Sequence, residues 1–102
     1  MEKVIYNYKD LGLASYLIVN GNNFVGVDVK YIKKFNEFKI FIKVEGYKEQ
    51  LTSMRKYYDE NKIKINKTKS VIDMISVLAD NVERSLKNKE GVTPVSGSTT
   101  TL

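Results

Sequence analysis

The sequence predicts an α+β fold, a small antiparallel sheet packed against two or three helices with an extended C-terminal tail. Three observations carry that expectation. Two neighbouring runs, residues 24–32 and 38–45, alternate apolar and polar with period two, the mark of an antiparallel pair with one buried face. Three other segments place apolar residues at helical spacing. At 102 residues, the chain suits one domain over about residues 1–90, with residues 91–102 as a low-complexity Ser/Thr/Gly tail.

Taken in order, Lys3-Val4-Ile5-Tyr6-Asn7-Tyr8 is aromatic and β-branched, and reads as a strand or extended lead-in. Residues 10–20 form a helix. Asp10 is its expected N-cap, because a carboxylate there accepts from the free amides of the first turn. Leu13, Ala14, Leu17 and Ile18 make its stripe, and Gly21 ends it in a left-handed conformation. In the first hairpin strand Val25, Val27, Val29 and Tyr31 share a face, opposite Gly26, Asp28 and Lys30. In the second, Phe38, Ile40, Ile42 and Val44 lie opposite Lys39, Phe41, Lys43 and Glu45. Residues 33–37 connect the two strands.

Gly46 is expected to break the second strand and lead into a helix over 47–60, with Tyr47, Leu51, Met54 and Tyr58 on one stripe. Residues 62–66 (Lys-Ile-Lys-Ile-Asn) alternate, as in a short edge strand or an extended link. A last helix starts at Asn66 or Ser70 and runs to about Lys89. Ser70 and Asp73 have capping-box spacing, and Val71, Ile75, Leu78, Val82 and Leu86 form its stripe. The expected core is Leu13, Leu17, Val27, Val29, Ile40, Ile42, Leu51, Met54, Ile75, Leu78 and Val82. Strand order cannot be read from the pattern.

This order of elements resembles a small domain-of-unknown-function family that recurs in phage and mobile-element genomes. The resemblance spans roughly residues 8 to 87. It rests on Asp10-Leu11, Leu13-Ala14, Tyr16-Leu17 and Gly21, then the valine-rich strand, the Phe38–Val44 strand and the Ile65–Leu86 helix. It implies a phage or prophage setting, hence the cytoplasm of a host cell or a virion. It brings no activity and no site residues.

Composition excludes much chemistry. There is no cysteine, so disulfides, thiolate nucleophiles and cysteine-held metals are out. There is no histidine, the usual base near neutral pH, so a Ser–His or Cys–His pair is ruled out. Ser70 follows Lys69, but capping explains it better than catalysis. Asp73, Asp80 and Glu83 share a helix side and read as a solvated face in preference to a cation site. Asp59-Glu60 lacks calcium-loop spacing, and no phosphate loop appears. No cofactor, metal or enzymatic activity is expected. No leader or membrane span is expected either, since no apolar run is long enough. Without secretion, Asn66-Lys67-Thr68 carries no meaning as a glycosylation triplet.

Net charge is +5, which favours an anionic partner. One candidate surface is Lys39, Phe41 and Lys43 with Lys33 and Lys34, extended by Lys62 and Lys64 in the cluster at 62–69. An aromatic flanked by lysines can stack a base while the ammonium groups meet phosphates. Alternating lysine also protects edge strands from aggregation. The chain has only two arginines, Arg55 and Arg84, so base-edge reading is not expected. The rival surface is a protein interface: Tyr57 and Tyr58 are adjacent and cannot share a helix face. The tail, with Val92, Pro94 and Val95, would act as a docking arm. The leading expectation is a phage-type structural or assembly protein that self-associates or docks on other phage proteins. The alternatives are a nonspecific nucleic-acid-binding accessory protein and a small inhibitor of a host enzyme.

Overall fold

The computed structural model describes residues 2–92, with side chains through residue 88. The elements run β1 (Lys3–Tyr8), α1 (Leu11–Val19), β2 (Asn23–Ile32), a 3-10 turn at Lys33–Phe35, β3 (Glu37–Tyr47), α2 (Lys48–Ile65) and α3 (Lys69–Val92). The fold is α+β: one three-stranded antiparallel sheet in the order β1-β3-β2, with three helices. β3 lies in the centre and pairs with both neighbours, so the lead-in segment is a full edge strand.

The hairpin register follows the alternation. Val27, Val29 and Tyr31 pair with Ile42, Ile40 and Phe38 on one face, and Asp28 and Lys30 pair with Phe41 and Lys39 on the other. Pairing of β1 with β3 puts Val4, Tyr6 and Tyr8 beside Gly46, Val44 and Ile42, and Lys3, Ile5 and Asn7 beside Tyr47, Glu45 and Lys43. The first face meets the helices. Tyr8, Ile42 and Val44 form one buried cluster with Leu13, Ala14 and Leu17 of α1, Leu51, Tyr58 and Ile65 of α2, and Val71 and Leu78 of α3. α3 packs on α1 and β2, and α2 packs on α1 and β3. Of the expected core, Val27, Met54, Ile75, Val82 and Ile40 are half-buried, and the others are buried.

α1 starts as its sequence dictates: the Asp10 carboxylate accepts from the amides of Gly12 (2.8 Å) and Leu13 (3.3 Å). Gly21 follows the helix with φ of 101°, open to glycine and strained for other residues.

Five local expectations are corrected. Residues 62–65 are neither edge strand nor extended link. They are the last turn of α2, which kinks at Asn61 (φ −129°, ψ 26°) and continues. Gly46 does not break the strand but lies inside β3, where its missing Cβ makes room for the Asn22 side chain. Val25 does not share a face with Val27. The register slips between Phe24 and Gly26, and the bulge leaves Val25 47% exposed. Tyr47 ends β3 and is the N-cap of α2, so the helical stripe begins at Leu51. Ser70 lies within the first turn of α3, where Asp73 takes an ion pair with Lys69 (2.7 Å) instead of closing a capping box. Residues 91 and 92 belong to α3, and the expected tail beyond them lies outside the described residues.

Candidate functional site on the open sheet face

All three helices gather on one side of the sheet. The other face has no buried residue: Lys3, Ile5 and Asn7 of β1, Lys39, Phe41, Lys43 and Glu45 of β3, and Asn23, Gly26, Asp28, Lys30 and Ile32 of β2 are exposed or half-buried. A period-two strand necessarily exposes its second set of side chains where only one face is covered. Here lysine is the commonest member of that set.

Phe41 stands at the centre of this face, on the central strand and half-buried. Two ammonium groups approach its ring: Lys30 Nζ from β2 and Lys9 Nζ from the end of β1, each 5.7 Å from the ring centroid. Such contacts hold the lysine stems against the sheet and leave the charges facing water. Lys39 and Lys43 flank Phe41 along β3. Lys3 lies over the Tyr47 ring at 5.6 Å. At the tip of the hairpin the 3-10 turn carries Lys33 and Lys34, the latter 5.6 Å from the exposed Phe35 ring.

The charge distribution is uneven. The open face and its tip hold Lys3, Lys9, Lys30, Lys33, Lys34, Lys39 and Lys43 against Asp28, Glu37 and Glu45, an excess of four in a chain of net charge +5. Among the described residues one weak internal pair offsets it, Lys30 with Asp28 at 3.9 Å. The rest of the surface is close to neutral.

Lys39, Phe41 and Lys43 therefore share one face, with Lys33 and Lys34 at its end. Lys62 and Lys64 lie elsewhere in the chain's architecture, on the last turn of α2. Lys62 reaches Asp10 (3.6 Å), the residue after Lys9, while Lys64 is exposed. Sequence reasoning missed Lys3 and Lys9, because their place on this face follows from the pairing of β1 with β3. The one available signal was Lys3 alternating with Ile5 and Asn7.

The proposed protein interface divides. Tyr57 is 50% exposed and stacks on Tyr16, with ring centroids 6.3 Å apart. Tyr58 is fully buried, its hydroxyl paired with the Asn66 amide (3.0 Å), so it is a core residue and offers no surface. Of Val92 only the backbone is described, and Pro94 and Val95 lie outside the described residues.

Asp73 pairs with Lys69, and Glu83 lies 3.8 Å from Lys87. Among the described residues no group of three or more acidic side chains converges as a metal site, and no helix is long and apolar enough to cross a membrane. No protein-family model matches the chain, and comparison with curated proteins and with solved structures gives no match.

Proposed function

We propose that this protein binds single-stranded nucleic acid, with little sequence preference, on the open face of its sheet. The observation that carries the reading is the concentration of nearly all the net positive charge on the open face and its hairpin tip, with Phe41 on the central strand. Ammonium groups at this density neutralise phosphates, and a half-buried aromatic ring at their centre offers its open part to any base. Neither arginine lies on this face, Arg55 being on α2 and Arg84 on α3, which fits backbone contact better than base-edge reading. The protein acts by presenting a surface, without bond-making chemistry. In the phage setting that the resemblance implies, it is an accessory protein that escorts single strands.

The test is the affinity for a fluorescent oligo(dT) strand across a salt series. The logarithm of affinity falls linearly with the logarithm of salt, by about 0.7 per phosphate contacted. Replacing Lys39 and Lys43 with alanine makes that slope shallower by about 1.4. Phe41→Ala weakens binding by about 1–3 kcal/mol with little change in slope. Affinity that ignores salt between about 50 and 200 mM, or that survives all three replacements, rejects the proposal.

A second reading has one observation in its favour. Tyr57, half exposed and stacked on Tyr16, is an amphipathic ring of the kind enriched at interfaces. In that reading the chain self-associates or docks on a larger particle. Elution as a monomer, unchanged by Tyr57→Ala, rejects it.

A further inference from the structure

Between β1 and the first two turns of α2 lies a cavity of about 360 Å³, lined by Tyr6, Asn7, Tyr8, Leu51, Thr52 and Arg55. That volume falls within the range of small-ligand sites. Leu51 is fully buried and belongs to the core beneath. The rings of Tyr6 and Tyr8 meet edge to face, with centroids 6.4 Å apart and planes at 82°. The apolar part of the lining is thus largely aromatic.

Its polar part is set for an anion. The Thr52 hydroxyl already donates to the Lys48 carbonyl (2.9 Å), which leaves the Arg55 guanidinium and the Tyr6 and Tyr8 hydroxyls as donors. No carboxylate lines the cavity, and Arg55 takes part in no ion pair among the described residues. Burial raises the pKa of the Tyr8 hydroxyl, and the Arg55 charge works against that rise. Lysine is otherwise this chain's cation, with arginine only at positions 55 and 84. The planar guanidinium fork, unlike an ammonium, matches a phosphate or carboxylate through two parallel hydrogen bonds.

We infer that this cavity binds a small aromatic anion, a flat ring bearing one phosphate or carboxylate. Arg55 holds the anionic group, and Tyr6 and Tyr8 enclose the ring. The site stands apart from the lysines around Phe41, because Tyr6 and Tyr8 lie on the helix side of the sheet and Arg55 projects from α2.

The experiment is a titration of the isotope-labelled full chain with phenyl phosphate, benzoate and inorganic phosphate, following the backbone amide signals of Asn7 and Thr52. Phenyl phosphate or benzoate is expected to give saturable shifts, at least about tenfold tighter than inorganic phosphate because the ring adds buried apolar area. Preference between the first two identifies the anionic group. Arg55→Gln weakens binding about tenfold or more, since a hydrogen bond to a charged group is lost, and Arg84→Gln leaves it unchanged. Arg55 is exposed, so its replacement does not threaten folding. Shifts that never saturate overturn the inference. So do equal affinity for inorganic phosphate, wild-type binding by Arg55→Gln, and an equal loss in Arg84→Gln. Nucleic-acid binding is read separately by the salt series, so either result stands without the other.

Discussion

Ser15 is fully buried on α1, and its Oγ has no hydrogen-bond partner among the described residues. A buried hydroxyl left unpaired costs desolvation with no return, and serine is a weaker helix former than alanine. Ser15→Ala is therefore expected to stabilise the protein by about 1 kcal/mol, read as a higher urea midpoint at unchanged slope. A loss of stability would mean that the hydroxyl is held by a bond. Gly46 gives the opposite result. A Cβ there overlaps the Asn22 side chain, whose Nδ2 donates to the Leu17 carbonyl (2.8 Å) and meets Met54 Sδ (3.3 Å). Gly46→Ala must displace that amide, at a cost of about 1–3 kcal/mol. The residue that makes glycine necessary lies far back in the chain, at the turn before β2. A local reading therefore sees only a strand breaker, and the requirement itself is tertiary.

At the scale of the elements, legibility depended on whether one periodicity had a rival. β2 and β3 alternate with no competing pattern, and their pairing follows the alternation from Gly26 onward. The bulge at Val25 was invisible because a valine in a valine-rich strand fits either face. β1 was recognisable as extended, but its position beside β3, which brings Lys3 and Lys9 to the candidate site, depends on strand order, and a single strand's pattern does not encode that. The Lys62–Ile65 stretch fits both periods. As a strand it would put Ile63 and Ile65 on one side. As a helix it continues the buried series Leu51, Tyr58 and Ile65 at seven-residue spacing, and packing against α1 and β3 decides for the helix. The two geometries give different mutational results. In the helix Ile63 is 76% exposed and Ile65 only 6%. Ile63→Ala is expected to change stability by less than about 0.5 kcal/mol, and Ile65→Ala to cost about 2–4 kcal/mol. Comparable losses at both positions would restore the strand.

For the molecule as a whole, the charge chemistry divides between its two sides. The open face is lysine. Under the sheet, where β1, α1 and α2 meet, burial is the largest influence on Tyr8, Tyr16 and Tyr58 and raises the pKa of each hydroxyl above 10.0. At Tyr58 the Asn66 hydrogen bond and the Lys62 charge oppose that rise, and at Tyr8 Arg55 does. The sign follows from proton linkage. A hydroxyl that holds its proton more tightly when folded lets the unfolded chain ionise first as pH rises. The stability this linkage contributes is complete below pH 10, the unfolded value, and is lost as pH climbs through the raised folded values. With no histidine, no side chain of ordinary pKa changes charge near neutrality. Urea unfolding between pH 6 and 11.5 is therefore expected to show little contribution from these groups up to about pH 9.5, then a decline. Tyr58→Phe lowers the plateau, because the contact with Asn66 goes, yet makes the alkaline decline shallower by as much as one proton's worth, about 1.4 kcal/mol per pH unit. A decline equally steep in this variant would mean that Tyr58 ionises as readily in the folded protein as in the unfolded chain. That outcome would contradict its place in the core and the helix junction built around it.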